Sequence, residues 1–419
     1  MTIQDISRRR FLGLTLSAGA VLVAAGCGGS ATVASTPASP SSAPASAAAK
    51  PSSQASAAGS PAGTTGSAPA SAASSGLASA KPSAAGSAPA SGAAASPAGS
   101  AAASGAANHL KIGSAPLLAN SGLFIGMDRG YFKDQGLDIE AVNFAQGAAA
   151  MAQPLAADQL DIANADPSAA FLNAIGRGIN MKFVGDGNHS DATHKGVAFL
   201  IRKDLIDSGA VKDYPDLKGK KISPIIKGSA VDRVVHLALT KGNLKESDVD
   251  LEYIGFPDSL AAMGNKSLDG AIEVEPLITT AVEKNIAVAW KWGVDITGPS
   301  QGTVIMYGQN MAKNRQDAGK RFMVGYIKAI RDYIDAFSNG KDKQAIIGIL
   351  TKNTTLKDPA LYDKIQLPWF DPNGAMNIQS MKDMQQWFVS NGYVKTAANM
   401  DTTVDMSYVN AALAQVGKR

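Results

Sequence analysis

The chain has 419 residues, with 39 Lys and Arg against 35 Asp and Glu. The basic excess lies before residue 108, where Arg8, Arg9, Arg10, Lys50 and Lys81 face only Asp5, so residues 108–419 hold 34 charges of each sign. A neutral domain excludes the general electrostatic argument for nucleic-acid binding, and a single Cys, Cys27, excludes an internal disulfide.

The first element in chain order is an export signal over residues 1–26. Three arginines, Arg8 to Arg10, precede an apolar run from Phe11 to Ala25 that ends in small residues. The run is too short to cross a hydrocarbon core of about 30 Å comfortably as a helix. Its order of charged, apolar and small residues is that of a secretory signal. The segment SRRRFL (7–12) resembles a twin-arginine signal, with Gly13 where a Lys often stands. General secretion is the alternative route. The segment VAAGC (23–27) resembles a bacterial lipobox, with Ala24 in place of the usual Leu. Cys27 is therefore the expected lipidation site, which places the domain outside the cytoplasmic membrane, tied to it by a lipid.

From Gly28 to Ala107 the chain is almost entirely Ala, Ser, Pro and Gly. Such a composition has too little bulky apolar surface to offset the entropy of ordering. Residues 27–107 thus read as a disordered tether, with an end-to-end distance on the order of 50 Å.

Short strands and helices alternate after residue 108. Strands are expected over 109–113, 137–144, 160–163 and 181–184, and helices over 121–128, 147–158 and 167–175. Gly130 should stop the first helix, and Pro154 should kink the second. Asp166 is expected to cap the third, with Pro167 at its first helical position. This alternation predicts an α/β fold with a doubly wound, largely parallel sheet. Ligands of such sheets sit at the carboxyl ends of the strands. The loops 115–120, 146–148, 165–168 and 185–189 converge there.

Here a resemblance becomes specific. The segments SAPL (114–117), GLFIGMDRGYFKDQGLDIE (122–140), LAADQLDIA (155–163) and GVAFLIRKD (196–204) resemble the nitrate, sulfonate, taurine and thiamine-precursor group of periplasmic solute-binding proteins. So do LKGKKI (217–222), KGS (227–229) and DGAIEVEP (269–276). The resemblance covers about residues 110–340 and rests on the order and spacing of these segments together. It implies a type II periplasmic-binding-protein fold: two α/β lobes joined by two crossing strands and closing on a ligand. Crossings near Ala198 and 303–307 would divide the chain into lobe one, 108–198 with 305–419, and lobe two, 199–304.

Candidate ligand contacts follow from the loops. Asn120 and Ser168 lie in two of them. Ser229 should start a helix at Ala230 after the turn at Gly228, and a helix start presents unpaired N–H groups suited to an anionic head. Arg233, one turn further, is expected to pair at the surface. Gln146, Gly147 and Ala148 form a parallel case in lobe one, where small residues let a ligand approach. Asp166 is a helix cap that can also meet a ligand amine. Asn188 and His189 follow the fourth strand, where the resemblance implies a contact. Glu273 and Glu275 are two apart on a strand and point the same way. Glu275 would favour a ligand donor, in tension with an anion at Ser229, and a zwitterion or heterocycle would reconcile the two.

The resemblance implies a non-enzymatic capture protein, monomeric and without a cofactor. It would deliver a small organic solute to a membrane permease and its ATPase, and its solute would be sulfonate-, nitrate-, taurine- or pyrimidine-precursor-like. A sensor partner reporting to a receptor has the same binding chemistry. An enzyme making a thiamine pyrimidine is the third reading, but such relatives carry a Cys-rich motif and residues 28–419 contain no Cys. No His-Glu-x-x-His motif is present and no acid pair stands out, so no catalytic residue is assigned. His189 and His194 lack the neighbours of a metal site, so no metal is assigned either.

Overall fold

A computed structural model describes residues 108–144 and 148–419. The expected signal, Cys27, the tether, Gln146 and Gly147 lie outside the described residues. In chain order the strands are β1 (His109–Ser114), β2 (Asp138–Asn143), β3 (Ile162–Ala165), β4 (Lys182–Ser190) and β5 (Val197–Arg202). They continue as β6 (Lys221–Ser223), β7 (Asp250–Leu251), β8 (Gly270–Val274), β9 (Ala287–Trp292) and β10 (Ser300–Tyr307).

Two five-stranded sheets result, ordered β2-β1-β3-β10-β4 and β7-β6-β8-β5-β9. The crossovers through helices make β1 parallel to β2 and β3, and β6 parallel to β7 and β8. One strand in each sheet runs the other way: β10 is antiparallel to β3 and β4, and β5 to β8 and β9. The chain leaves the first sheet after Ser190, enters the second at Val197, and returns between Trp292 and Ser300. The whole of β10 pairs within the first sheet, since Ser300 faces Ser190 and Val304 faces Ala165. The second crossing therefore precedes the 303–307 stretch expected from sequence.

The first sheet is buried on both faces, and its side chains alternate between them. Ile162, Val184, Ile305 and Tyr307 join one cluster with the long helix Gln316–Asn339. Ala163, Phe183, Val304 and Met306 join another with the Ile378–Ser390 helix. The second sheet has its own core around Phe199, Leu200, Ile222, Val235 and Ile272. Because the second sheet's cluster is separate from the two that flank the first, the sheets can act as two bodies with a cleft between them.

Local chemistry explains where helices differ from expectation. Residues 148–158 form a 3₁₀ turn, Ala148–Met151, and then a short α-helix, Ala152–Ala156, rather than one kinked helix. Pro154 cannot donate to the preceding turn, so a continuous helix would lack a bond there. The next helix is Ala169–Gly176, with Ser168 at the N-cap position in extended conformation and no capping bond from its side chain. Asp166 is not its cap, because the Ser168 N–H bonds the Asp166 carbonyl at 2.7 Å and the turn places the helix start two residues later. No described helix is long and apolar enough to cross a membrane.

Candidate functional site

The carboxyl ends of β1 and β3 face the second lobe across a cavity of ≈ 190 Å³. Asn120, Asn164, Asp166, Asn188 and Thr303 line it from the first sheet's side. Ile226, Ser229, Ala230, Phe256 and Val274 line it from the other. Leu117, Ile226, Phe256 and Val274 also wall a second cavity of ≈ 450 Å³, which continues the cleft over Pro116, Ile225 and Leu277. The cleft is thus polar at one end and apolar at the other.

Four oxygens at the polar end, Asn120 Oδ1, Asn164 Oδ1, Asp166 Oδ2 and Thr303 Oγ1, have no hydrogen-bond partner. Asn120 is 3 % exposed and Asn164 2 %. Buried polar groups are normally paired, so a cluster of unpaired ones marks a place where a ligand or water completes the structure. Glycines hold the group close. A Cβ on Gly187 would fall 2.5 Å from Asn164 Oδ1 and against Thr303, and one on Gly302 would fall 2.5 Å from Asn188 Oδ1.

Asp166 reaches across the cleft. The Ala230 N–H, at the start of the Ala230–Lys241 helix, donates to its carboxylate. Burial pushes its pKa up to about 6, and hydrogen bonds from Ala230 and from its own N–H offset part of that rise. The two lobes also join where the Ala169 N–H donates to the Gly228 carbonyl at 3.1 Å. Gly228 has φ +69°, a conformation that favours glycine. Its N–H is held by Asp232 Oδ2 at 2.8 Å. Ser229 caps the helix as expected, accepting from the Asp232 N–H at 3.3 Å and donating to the Ile226 carbonyl at 2.6 Å.

The other candidates differ in what they meet. Asn188 lines the cavity while its Oδ1 accepts from the Thr303 N–H at 2.7 Å. His189 is outside the lining and meets Asp186 at 3.1 Å. Burial opposes its positive charge, but the Asp186 carboxylate outweighs this and raises its pKa. Ser168 is 2 % exposed with an unpaired Oγ, and it is not part of the lining. Ala148 begins the 3₁₀ turn. Arg233 lines a smaller cavity of ≈ 60 Å³ with an unpartnered Nε rather than pairing at the surface.

Glu273 and Glu275 do not share a face toward the ligand, because β8 ends at Val274 and Glu275 enters the turn. Glu275 borders the ≈ 450 Å³ cavity, and its oxygens accept from the Thr279 N–H and hydroxyl. It also accepts from the Gln366 N–H at 3.1 Å, across the cleft. Glu273 is fully buried, and the Ser259 hydroxyl donates to it. Among the described residues no group of three His, Cys, Asp or Glu could hold a metal.

Asn164 and Thr303 were missed from sequence. A signal for Asn164 existed: it is the one polar residue in β3, whose four positions are all buried. Thr303 gave none, since its place depends on β10 returning between β3 and β4.

Comparison with known proteins now decides the family, because the match to the NMT1-like family covers residues 104–348, more than half of the chain. The chain belongs to the NMT1-like family. A provisionally named binding protein of Brucella abortus (strain 2308) is 31 % identical to this NMT1-like chain over 159 residues. That match takes in 38 % of the chain and spans 45 % of the relative, less than half its length. The alkanesulfonate-binding protein SsuA of Xanthomonas axonopodis pv. citri, solved with MOPS, has a TM-score of 0.57 at 19 % identity, covering 71 % of this chain and 98 % of its own. The periplasmic nitrate-binding protein NrtA of Synechocystis PCC 6803 has a TM-score of 0.60 at 14 % identity, covering 74 % and 89 %. The desulfurization enzyme DszB has a TM-score of 0.53 at 13 % identity, covering 74 % and 99 %. At these identities the likeness shows the fold: this NMT1-like chain has the type II periplasmic-binding-protein architecture.

Proposed function

We propose that the chain is an extracytoplasmic, lipid-anchored protein that captures a small organic solute between its lobes. It hands the solute, as a monomer, to the permease and ATPase of an ABC importer. The observation that carries this reading is the interlobe cavity lined from both sides, with four unpartnered polar atoms at one end. A solute held by both lobes favours the closed arrangement, and a permease can recognise that shape. The two lobes are joined by the segments between β4 and β5 and between β9 and β10. Asn120, Asp166, Asn188, Ser229 and Ala230 contact the solute. The signal over 1–26 and lipidated Cys27 hold the protein at the membrane, and the tether over 27–107 lets the lobes reach outward.

The deciding experiment is mass spectrometry of the small molecule released on denaturing the purified protein. A single organic species in near-stoichiometric amount is expected. Its absence, together with no thermal shift from sulfonate, nitrate, amino-acid or pyrimidine solutes, would sink the reading. Cys27→Ser should move the protein from the membrane fraction to the soluble one, and retention in the membrane would count against the anchor.

A further inference from the structure

The charge and hydrogen-bonding character of the cleft narrows the solute class, given that the cleft is the solute site proposed above. The polar end presents acceptors beside groups that can also donate, the Thr303 hydroxyl and the Asn120 and Asn188 amides. Asn164 Nδ2 is engaged by the Ala119 carbonyl at 3.5 Å, which leaves its Oδ1 facing the cavity. Asp166 Oδ2, Asn120 Oδ1 and Thr303 Oγ1 are unpartnered beside it. A buried acceptor without a donor is unfavourable, and a ligand that supplies donors removes that penalty.

Among the described residues no Lys, Arg or His lines the ≈ 190 Å³ cavity or the ≈ 450 Å³ cavity beside it. Arg233 lines the small adjoining cavity, which shares Val197, Ala230, Val231 and Gly302 with the first, and lies in the field of Asp383. The remaining positive feature is the start of the Ala230–Lys241 helix, which would ordinarily suit an anion. Three of the donors there are engaged inside the protein. The Ala230 N–H goes to Asp166, the Asp232 N–H to Ser229 Oγ and the Gly228 N–H to Asp232 Oδ2. Asp166 thus stands where the anionic head of a ligand would stand. With its pKa held up at about 6 by burial, it still carries its charge at neutral pH.

We infer that the cleft selects a solute with a nitrogen-borne donor head, a protonated amine or amidinium, seated against Asp166, Asn164 and Thr303. Its apolar body lies along Ile226, Phe256 and Val274. An oxyanion head would meet the Asp166 carboxylate with no cationic side chain lining the same cavity.

The test is calorimetric titration of the dialysed full-length protein with benzylamine, benzoate and benzenesulfonate, which carry different heads on one ring. Benzylamine is expected to bind at least about tenfold more tightly than either anion, the scale of one hydrogen bond to a charged group. In Asp166→Asn that preference should disappear, while Thr303→Val should weaken benzylamine by a smaller factor. Tighter binding of an anion, no binding of any of the three, or an unchanged benzylamine affinity in Asp166→Asn each overturns the donor-head assignment. The wild-type comparison stands even if a variant fails to fold. The capture reading is judged separately, by whether any molecule co-purifies, so the two can fail independently.

Discussion

Glu273 shows how one buried carboxyl ties stability to pH. It lies in the middle of the second sheet, and burial pushes its pKa from 4.5 to about 8, against the opposing pull of Ser259 and the Val274 backbone. Below the unfolded value both states hold the proton. Between 4.5 and about 8 the unfolded chain releases a proton that the folded protein keeps. Stability therefore falls as pH rises through this window, by at most about 1.4 kcal/mol per pH unit from this group. Glu273→Gln keeps the acceptor for Ser259 and removes the titration. Denaturant titrations of the variant should show a flatter stability profile from pH 5 to 8 and a more stable protein at pH 8. An unaltered slope would mean that Glu273 does not hold its proton. Asn164 and Asp166 teach a related lesson at the same scale. Each is a polar group in an apolar setting, and the penalty of leaving it unpaired is what marks the cleft as a place for something else.

At the scale of elements, the site depends on how closely β4 approaches β3 and β10. Gly187 on β4 leaves room for the side chains of Asn164 and Thr303, and a Cβ there would also lie 2.8 Å from the Thr303 carbonyl carbon. Because that last contact is backbone, side-chain rotation alone cannot relieve it. Gly187→Ala should cost about 1–3 kcal/mol of stability, the usual range for overpacking. It should also displace the two polar groups, with solute affinity falling by more than the stability loss explains. Affinity equal to wild type would show that Asn164 and Thr303 do not meet the solute. Loops were legible where composition forced them: Gly130 takes φ +76° and ends the Ser121–Asp128 helix as its sequence position implies. The Ser229 cap was legible for the same reason, since a short polar side chain before an apolar-periodic run satisfies helix N–H groups. The start of the Ala169–Gly176 helix was not legible. Both Asp166 and Ser168 suit a cap, yet neither side chain caps the helix: Asp166 turns to Ala230 of the other lobe and the Ser168 hydroxyl is unpaired.

At the scale of the whole molecule, the lobes meet through a few polar contacts rather than a continuous core. Glu275 accepts from the Gln366 N–H, Lys364 meets Glu283 at 3.0 Å, and the His236 ring lies 5.2 Å from that of Trp387. A buried carboxylate accepting a backbone N–H across a cleft is worth more than the exposed Lys364–Glu283 pair. Glu275→Ala should therefore shift the solute-free protein toward an open form, read as a larger radius of gyration by small-angle scattering. Added solute should restore the compact value. A radius unchanged from wild type would show that closure rests on other contacts.

The sequence alone determined the neutral character of residues 108–419, the alternation of strands and helices, and the helix start at Ser229. Each follows from local composition, periodicity or capping chemistry. It also carried the family resemblance, which depends on the order of short segments rather than on any contact. Only the tertiary structure decided the antiparallel place of β10, the meeting of Asn164 with Thr303, and the reach of Asp166 to Ala230. Those facts join residues far apart in the chain, and no local pattern encodes which distant backbone a side chain will meet. For the same reason the sequence could not show that a carboxylate from the other lobe stands beside the helix start at Ser229.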